Sequence, residues 1–100
     1  MKKILALLLC VLLVFGMTAC GGNQEAPAED APLIVLITDT GGLGDESFND
    51  AAWAGCEKAK EDFGVNIQVI ESASSDDYLP NISAAVEAGS DLIICNGFLM

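Results

Sequence analysis

The sequence contains no histidine, the side chain that most often serves as general base and metal ligand near neutral pH. Basic residues are scarce as well. Lys2 and Lys3 stand at the amino terminus, and beyond Cys20 only Lys58 and Lys60 oppose all 15 acids, a formal balance of −13. Nucleic-acid binding rests on neutralising phosphates with Lys and Arg, so this balance argues against a nucleic-acid partner and against a polyanionic substrate. Cysteines are few, and Cys56 and Cys95 lack the paired spacing of a metal site. They are expected as small buried residues on a helix and a strand, not as a disulfide. No nucleophile–base pair stands out either. The chain reads as a non-enzyme that needs neither metal nor cofactor.

What is present begins with a leader. Lys2 and Lys3 precede an apolar run from Ile4 to Met17, shorter than the roughly 20 residues that a membrane-spanning helix requires. Met17-Thr18-Ala19-Cys20 then supplies small residues before a cysteine, a layout that resembles the bacterial lipobox. Residues 1–19 are therefore expected to be a lipoprotein signal peptide, with Cys20 lipidated as the mature amino terminus. Burying each acyl methylene contributes about 0.8 kcal/mol, so a diacyl anchor would hold the protein on the extracytoplasmic face of the cell membrane. Residues 20–32, rich in Gly, Pro, Ala and acids, read as a flexible tether.

The remainder, residues 33–100, alternates strand and helix signals. Leu33 to Ile37 is an unbroken apolar run, as expected for a parallel strand covered on both faces. Phe48, Ala52, Gly55/Cys56, Ala59 and Phe63 recur at helical spacing, with Asp45 or Ser47 as the cap and Gly64 as the stop. Val65 to Ile70 reads as a second strand. A second helix is expected over about Asp77 to Ala88, with Leu79, Ile82, Ala85 and Val86 on its inner face and Pro80 in its first turn. Asp91 to Cys95 completes the set as a third buried strand. The β-α-β-α-β order predicts half of a doubly wound, parallel α/β unit. Three strands bury little surface for such a fold, so the residues are expected to be the amino-terminal part of a larger lobe.

The loop between the first strand and first helix, Asp39-Thr40-Gly41-Gly42-Leu43-Gly44-Asp45-Glu46-Ser47-Phe48-Asn49-Asp50, carries the functional signal. It lies at the carboxyl edge of the strands, where open α/β sheets bind ligands. No Gly-Lys-Ser/Thr follows the glycines, and Ser47 stands where a dinucleotide loop needs glycine. The acids would repel phosphate, and their spacing is wrong for a calcium loop. A neutral, planar, hydrogen-bonding ligand fits better. Asp39 can supply a polar contact or merely brace the turn, and Phe48 can stack on a ring or fill the core.

Ile37-Thr38-Asp39-Thr40-Gly41-Gly42, Asp45-Glu46-Ser47-Phe48-Asn49 and Ala52-Trp53 with Gly55 together resemble the basic membrane protein family of substrate-binding lipoproteins. The match continues through Ser75-Asp76-Asp77-Tyr78, Asn81-Ile82 and Gly97-Phe98. The resemblance implies the start of a lobe of the type I periplasmic-binding-protein fold, a Rossmann-like unit. It also implies a role in nucleoside import, with an ABC permease and ATPase as partners and a purine nucleoside as the small-molecule ligand. Asp39 then matches the residue that hydrogen-bonds the purine and Phe48 the ring that stacks on it, with Thr40, Ser47, Asn49 and Phe98 nearby. Two other readings stay open: a surface-exposed sensor or adhesin on the same fold, and a sugar-type ligand. The Asn-Pro-Phe-type turn usual in sugar-binding relatives is absent here.

The anchor reading has a direct test. Cys20→Ser should move the protein from the membrane fraction to the soluble fraction on cell lysis. Retention of the variant in membranes would refute lipidation at this residue.

Overall fold

The computed structural model describes residues 27–100. The leader, Cys20 and the first part of the expected tether lie outside the described residues. Strand β1, Leu33–Thr38, is the centre of the sheet. Its run Leu-Ile-Val-Leu-Ile-Thr alternates between the two faces, and Val35, Leu36, Ile37 and Thr38 are all fully buried. Both faces of β1 are therefore covered, which is why the run is continuously apolar rather than alternating.

Helix α1 spans Phe48–Phe63 and leads to β2, Asn66–Ile70. A 3-10 turn over Ser75–Asp77 runs into helix α2, Tyr78–Glu87, and β3 follows at Leu92–Asn96. Both outer strands pair parallel with β1: Leu33 to Ile37 lie opposite Asn66 to Ile70, and Ile34 to Thr38 lie opposite Leu92 to Asn96. The sheet order is β2-β1-β3. The expected parallel βαβαβ unit is thus observed. Ala85 of α2 joins Val35 and Ile37 in the core, with Ile82, Ile93 and Met100 packed around them. That leaves the Leu36 and Thr38 face for α1, whose Cys56 is buried.

The helix faces differ in detail from the expectation. On α2 the inward residues are Tyr78, Asn81, Ile82 and Ala85, whereas Leu79 and Val86 are 73% and 62% exposed. Asn81 sets this rotation, because its Nδ2 donates to Ser72 Oγ at 3.0 Å and to the Glu71 carbonyl at 3.4 Å. Asp77 steadies the approach by accepting the Ala73 and Ser74 N–H groups at 3.0 and 2.9 Å. On α1 the small residues at the centre pack, but Phe48 and Phe63 at the two ends are exposed. Sixteen helical residues run about 24 Å, whereas five strand residues span about 17 Å, so the helix is longer than the sheet it covers.

Strand β3 is also more open than expected. Among the described residues it pairs only with β1, and Leu92 and Cys95 are exposed. Cys56 and Cys95 are both free thiols, the first buried and the second exposed. At the opposite edge of the sheet the chain enters β1 through a clasp. Asn66 donates from Nδ2 to the Ala28 and Ala31 carbonyls at 2.8 and 3.3 Å and from its backbone N–H to the Pro32 carbonyl at 2.8 Å. The last residues before β1 are thus held against the sheet. No helix among the described residues is long and apolar enough to cross a membrane.

Candidate functional site

The order β2-β1-β3 makes a topological switch point. The chain leaves β1 toward one side to form β2, then crosses back over to form β3 on the other side. The loops after β1 and β3 therefore diverge and open a crevice at the carboxyl ends of those strands. Asp39 follows β1 directly, and its backbone N–H donates to the Asn96 carbonyl at the end of β3, at 3.1 Å. Gly97 comes next. A Cβ on Gly97 would lie 2.9 Å from Asp39 Cβ, a contact no side chain rotation relieves, so only glycine allows the two loops to approach this closely.

Asp39, Phe48, Asn96, Gly97 and Phe98 line a cleft of about 210 Å³ at this point. The Phe48 and Phe98 rings meet edge to face, with centroids 6.1 Å apart and planes at 82°, the geometry aromatic quadrupoles favour. Both rings remain largely open to solvent, at 68% and 93% exposure. The Asp39 carboxylate is divided between two tasks. Oδ1 accepts the Gly41 N–H at 2.9 Å and Asn49 Nδ2 at 2.8 Å, while Oδ2 has no partner among the described residues.

The acids that follow have a different role. Asp45 accepts the backbone N–H groups of Ser47, Asn49 and Asp50 at 2.9, 3.0 and 3.1 Å. It thereby satisfies the orphan donors at the start of α1, and Ser47, at the N-cap position, makes no side-chain cap bond. Asp50 reaches back to accept the Gly44 and Glu46 N–H groups at 2.7 and 2.9 Å. The two carboxylates lock the loop from both directions. Glu46 is held at a φ of 50° and Gly42 at 63°, the left-handed turn that lets the chain double back. The N–H bond to Asn49, with those to Ser47 and Asp50, holds the Asp45 carboxyl below its ordinary value despite some desolvation. Burial pushes the Cys56 thiol up, aided by the nearby Glu57 charge.

Of the residues singled out in the sequence, the fold brings Asp39, Phe48 and Phe98 together around the cleft. Asn49 is 1% exposed and lies behind Asp39 instead of facing the cleft. Thr40 and Ser47 are exposed on the loop and do not line the cleft. Asn96 and Gly97 were not among the expected site residues. The parallel βαβαβ order puts their turn at the same carboxyl edge as the first loop, and Gly97 belongs to the family-like Gly97-Phe98 pair, but nothing in one sequence says that Asn96 pairs with Asn49. A larger hollow of about 670 Å³ lies at the opposite edge of the sheet, beside Glu29, Lys60, Asn66 and Asp91. It lies at the amino ends of the strands, against the segment entering β1, with no aromatic lining, so the smaller crevice is the better candidate.

Residues 33–100 match the family described as "ABC transporter substrate-binding protein PnrA-like". The chain is 39% identical to basic membrane protein A of Borreliella burgdorferi over 98 residues, covering 98% of this chain and 27% of that protein. It is 35% identical to an uncharacterized lipoprotein of Pyrococcus furiosus over 102 residues, covering 99% of this chain and 25% of that one. A solved ABC-transporter solute-binding protein of Aeropyrum pernix K1 superposes with a TM-score of 0.62 at 36% identity, over 68% of this chain and 19% of its own. The chain thus spans about a quarter of the length of these curated relatives.

The lowered Asp45 carboxyl gives a signed prediction. A group with a depressed folded value contributes stability above its unfolded value, about 3.9, and loses it as pH falls through the folded value. Asp45→Ala should therefore lower the melting temperature of the full-length protein at pH 5 and above. The gap to wild type should close as pH drops below about 4. Melting curves from pH 6 to 2.5 check this, and a gap that stays constant would refute the capping role.

Proposed function

The chain belongs to the family of PnrA-like ABC transporter substrate-binding proteins, and from that premise we propose that it is part of a lipid-anchored receptor that captures purine nucleosides for import. One observation carries the reading. At the switch point Asp39, whose Oδ2 has no partner among the described residues, lines the same cleft as the exposed ring of Phe48, and no basic side chain lines that cleft among the described residues. A flat heterocycle with an N–H at its edge uses both features: the ring stacks on Phe48 and the N–H donates to Asp39 Oδ2. Base–aromatic stacking contributes about 1–3 kcal/mol. A phosphorylated ligand would meet the Asp39 carboxylate with no basic side chain among the described lining to offset it, so the neutral nucleoside is preferred over the nucleotide.

In this reading nothing is chemically changed. The ligand is captured between two lobes and handed to a membrane permease driven by a separate ATPase. Similarity to proteins named as lipoproteins supports anchoring at Cys20 on the extracytoplasmic face.

The test uses the full-length protein. A ligand bound only by the native state raises the melting temperature, so inosine, guanosine or adenosine at micromolar to millimolar concentration should give a shift. Phe48→Ala should weaken that binding by about 1–3 kcal/mol while the unliganded melt remains cooperative. A shift with sugars and with no nucleoside would replace the ligand class, and no shift with either panel would overturn the receptor reading.

A further inference from the structure

Asn49 is almost completely buried at the site, and its amide joins three elements. From α1, Nδ2 donates to Asp39 Oδ1 after β1, and Oδ1 accepts from Asn96 Nδ2 at the end of β3, each at 2.8 Å. The direction of this chain is forced. An ionised carboxylate can only accept, so Asn49 must turn its NH2 toward Asp39 and its oxygen toward Asn96. Asn96 must then donate. The Gly41 N–H donates to the same Asp39 oxygen at 2.9 Å.

We infer that Asn49, seated by Asn96, is a positioning residue that pins Asp39 through Oδ1 and leaves Oδ2 as the carboxylate oxygen available to a ligand N–H. The geometry stands by itself; the choice of a nucleoside as probe rests on the function proposed above. Both internal donors converge on one oxygen, so the carboxylate cannot rotate without breaking two hydrogen bonds, one of them partly buried. Buried polar groups left unpaired are costly, which holds Asp39 in one orientation before any ligand arrives. The resulting site discriminates by donor and acceptor: an N–H is welcomed at Oδ2, and an acceptor presented there is repelled.

The experiment places a second carboxylate in the chain. In Asn49→Asp, two carboxylates would face each other at hydrogen-bond distance, and such pairs cannot both ionise comfortably. At pH 8 the repulsion should turn Asp39 away and weaken inosine binding by about tenfold or more, measured by calorimetry on the full-length protein. Toward pH 5 a shared proton restores an O–H donor to Asp39 Oδ1, and the deficit should shrink while wild type stays level. The other acids near position 49 are Asp45, which accepts the Asn49 backbone N–H, Asp50 in the same turn, and Glu71, whose carboxylate lies against Gly42 of the same loop. Asp45 titrates below its ordinary value and stays charged throughout this range.

A deficit equal at pH 5 and pH 8, or no deficit at either, overturns the inference, since a purely structural defect would not recover with a proton. Ligand-free NMR gives an independent reading. The Asn49 side-chain amide protons of wild type should exchange slowly with solvent, and Asn96→Ala should accelerate them. Fast exchange in wild type overturns the chain even if inosine binds. Should wild type bind no nucleoside, the proposed function falls, and the NMR result alone decides the positioning role.

Discussion

The site depends on the fact that a carboxylate accepts hydrogen bonds and cannot donate them. Asp39 stands where β1 ends, beside the last residue of β3, with the first turn of α1 behind it. Donors approach it from the loop and from the helix, and the helix donor is itself held from the third strand. One oxygen of one side chain thus ties together β1, α1 and β3. The glycine at position 97 follows from the same arrangement, because any Cβ there would collide with Asp39. The crevice exists because β3 lies on the far side of β1 from β2, and its shape is set by how closely the two loops pass.

A second constraint explains the acidity around the crevice. Charge repulsion alone would make Asp45, Glu46 and Asp50 poor neighbours. Asp45 and Asp50 are instead employed in accepting backbone N–H groups, three by the first and two by the second. Negative charge at the start of a helix is favourable, so the acids brace the helix end that carries Phe48 and Asn49. By occupying several N–H groups that a helix start would otherwise offer to an anion, they make this end of the helix a poor phosphate cradle. The bracing of the loop and its poor fit to an anion have the same physical cause.

Much of this was legible in the sequence because it is local. The apolar run of β1, the helix from Phe48 to Phe63 and its glycine stop at Gly64 follow from hydrophobic period and left-handed turn chemistry, and each was read within a residue or two. Helix rotation was not legible. Leu79 and Val86 fit the period as well as Tyr78 and Ala85 do, and a hydrogen bond from Asn81 to Ser72, not hydropathy, selects between the stripes. The pairing of Asn96 with Asn49 was not legible for a similar reason: the two are remote in sequence and meet only once the chain has crossed over to form β3. Cys95 and Leu92 read as buried because apolar runs report potential burial. Exposure depends on what lies beside the strand.

The exposure of Phe48 and Phe98 then acquires a meaning that their edge-to-face contact alone does not supply. Two large aromatic rings held at 68% and 93% exposure leave apolar area facing water, which costs about 25 cal/mol for each Å² that could be covered. A helix longer than its sheet is consistent with an unpacked Phe48, but does not say why both rings gather at the cleft that Asp39 lines. A cleft of about 210 Å³ falls short of the roughly 300–1,000 Å³ that encloses most of a small ligand. A planar ring resting on Phe48 would therefore be covered on one face only, with its edge fixed by Asp39. Such a wall orients a ligand well and retains it weakly. Tight retention demands a second surface against the opposite face of the ring, and the open side of the cleft leaves room for one.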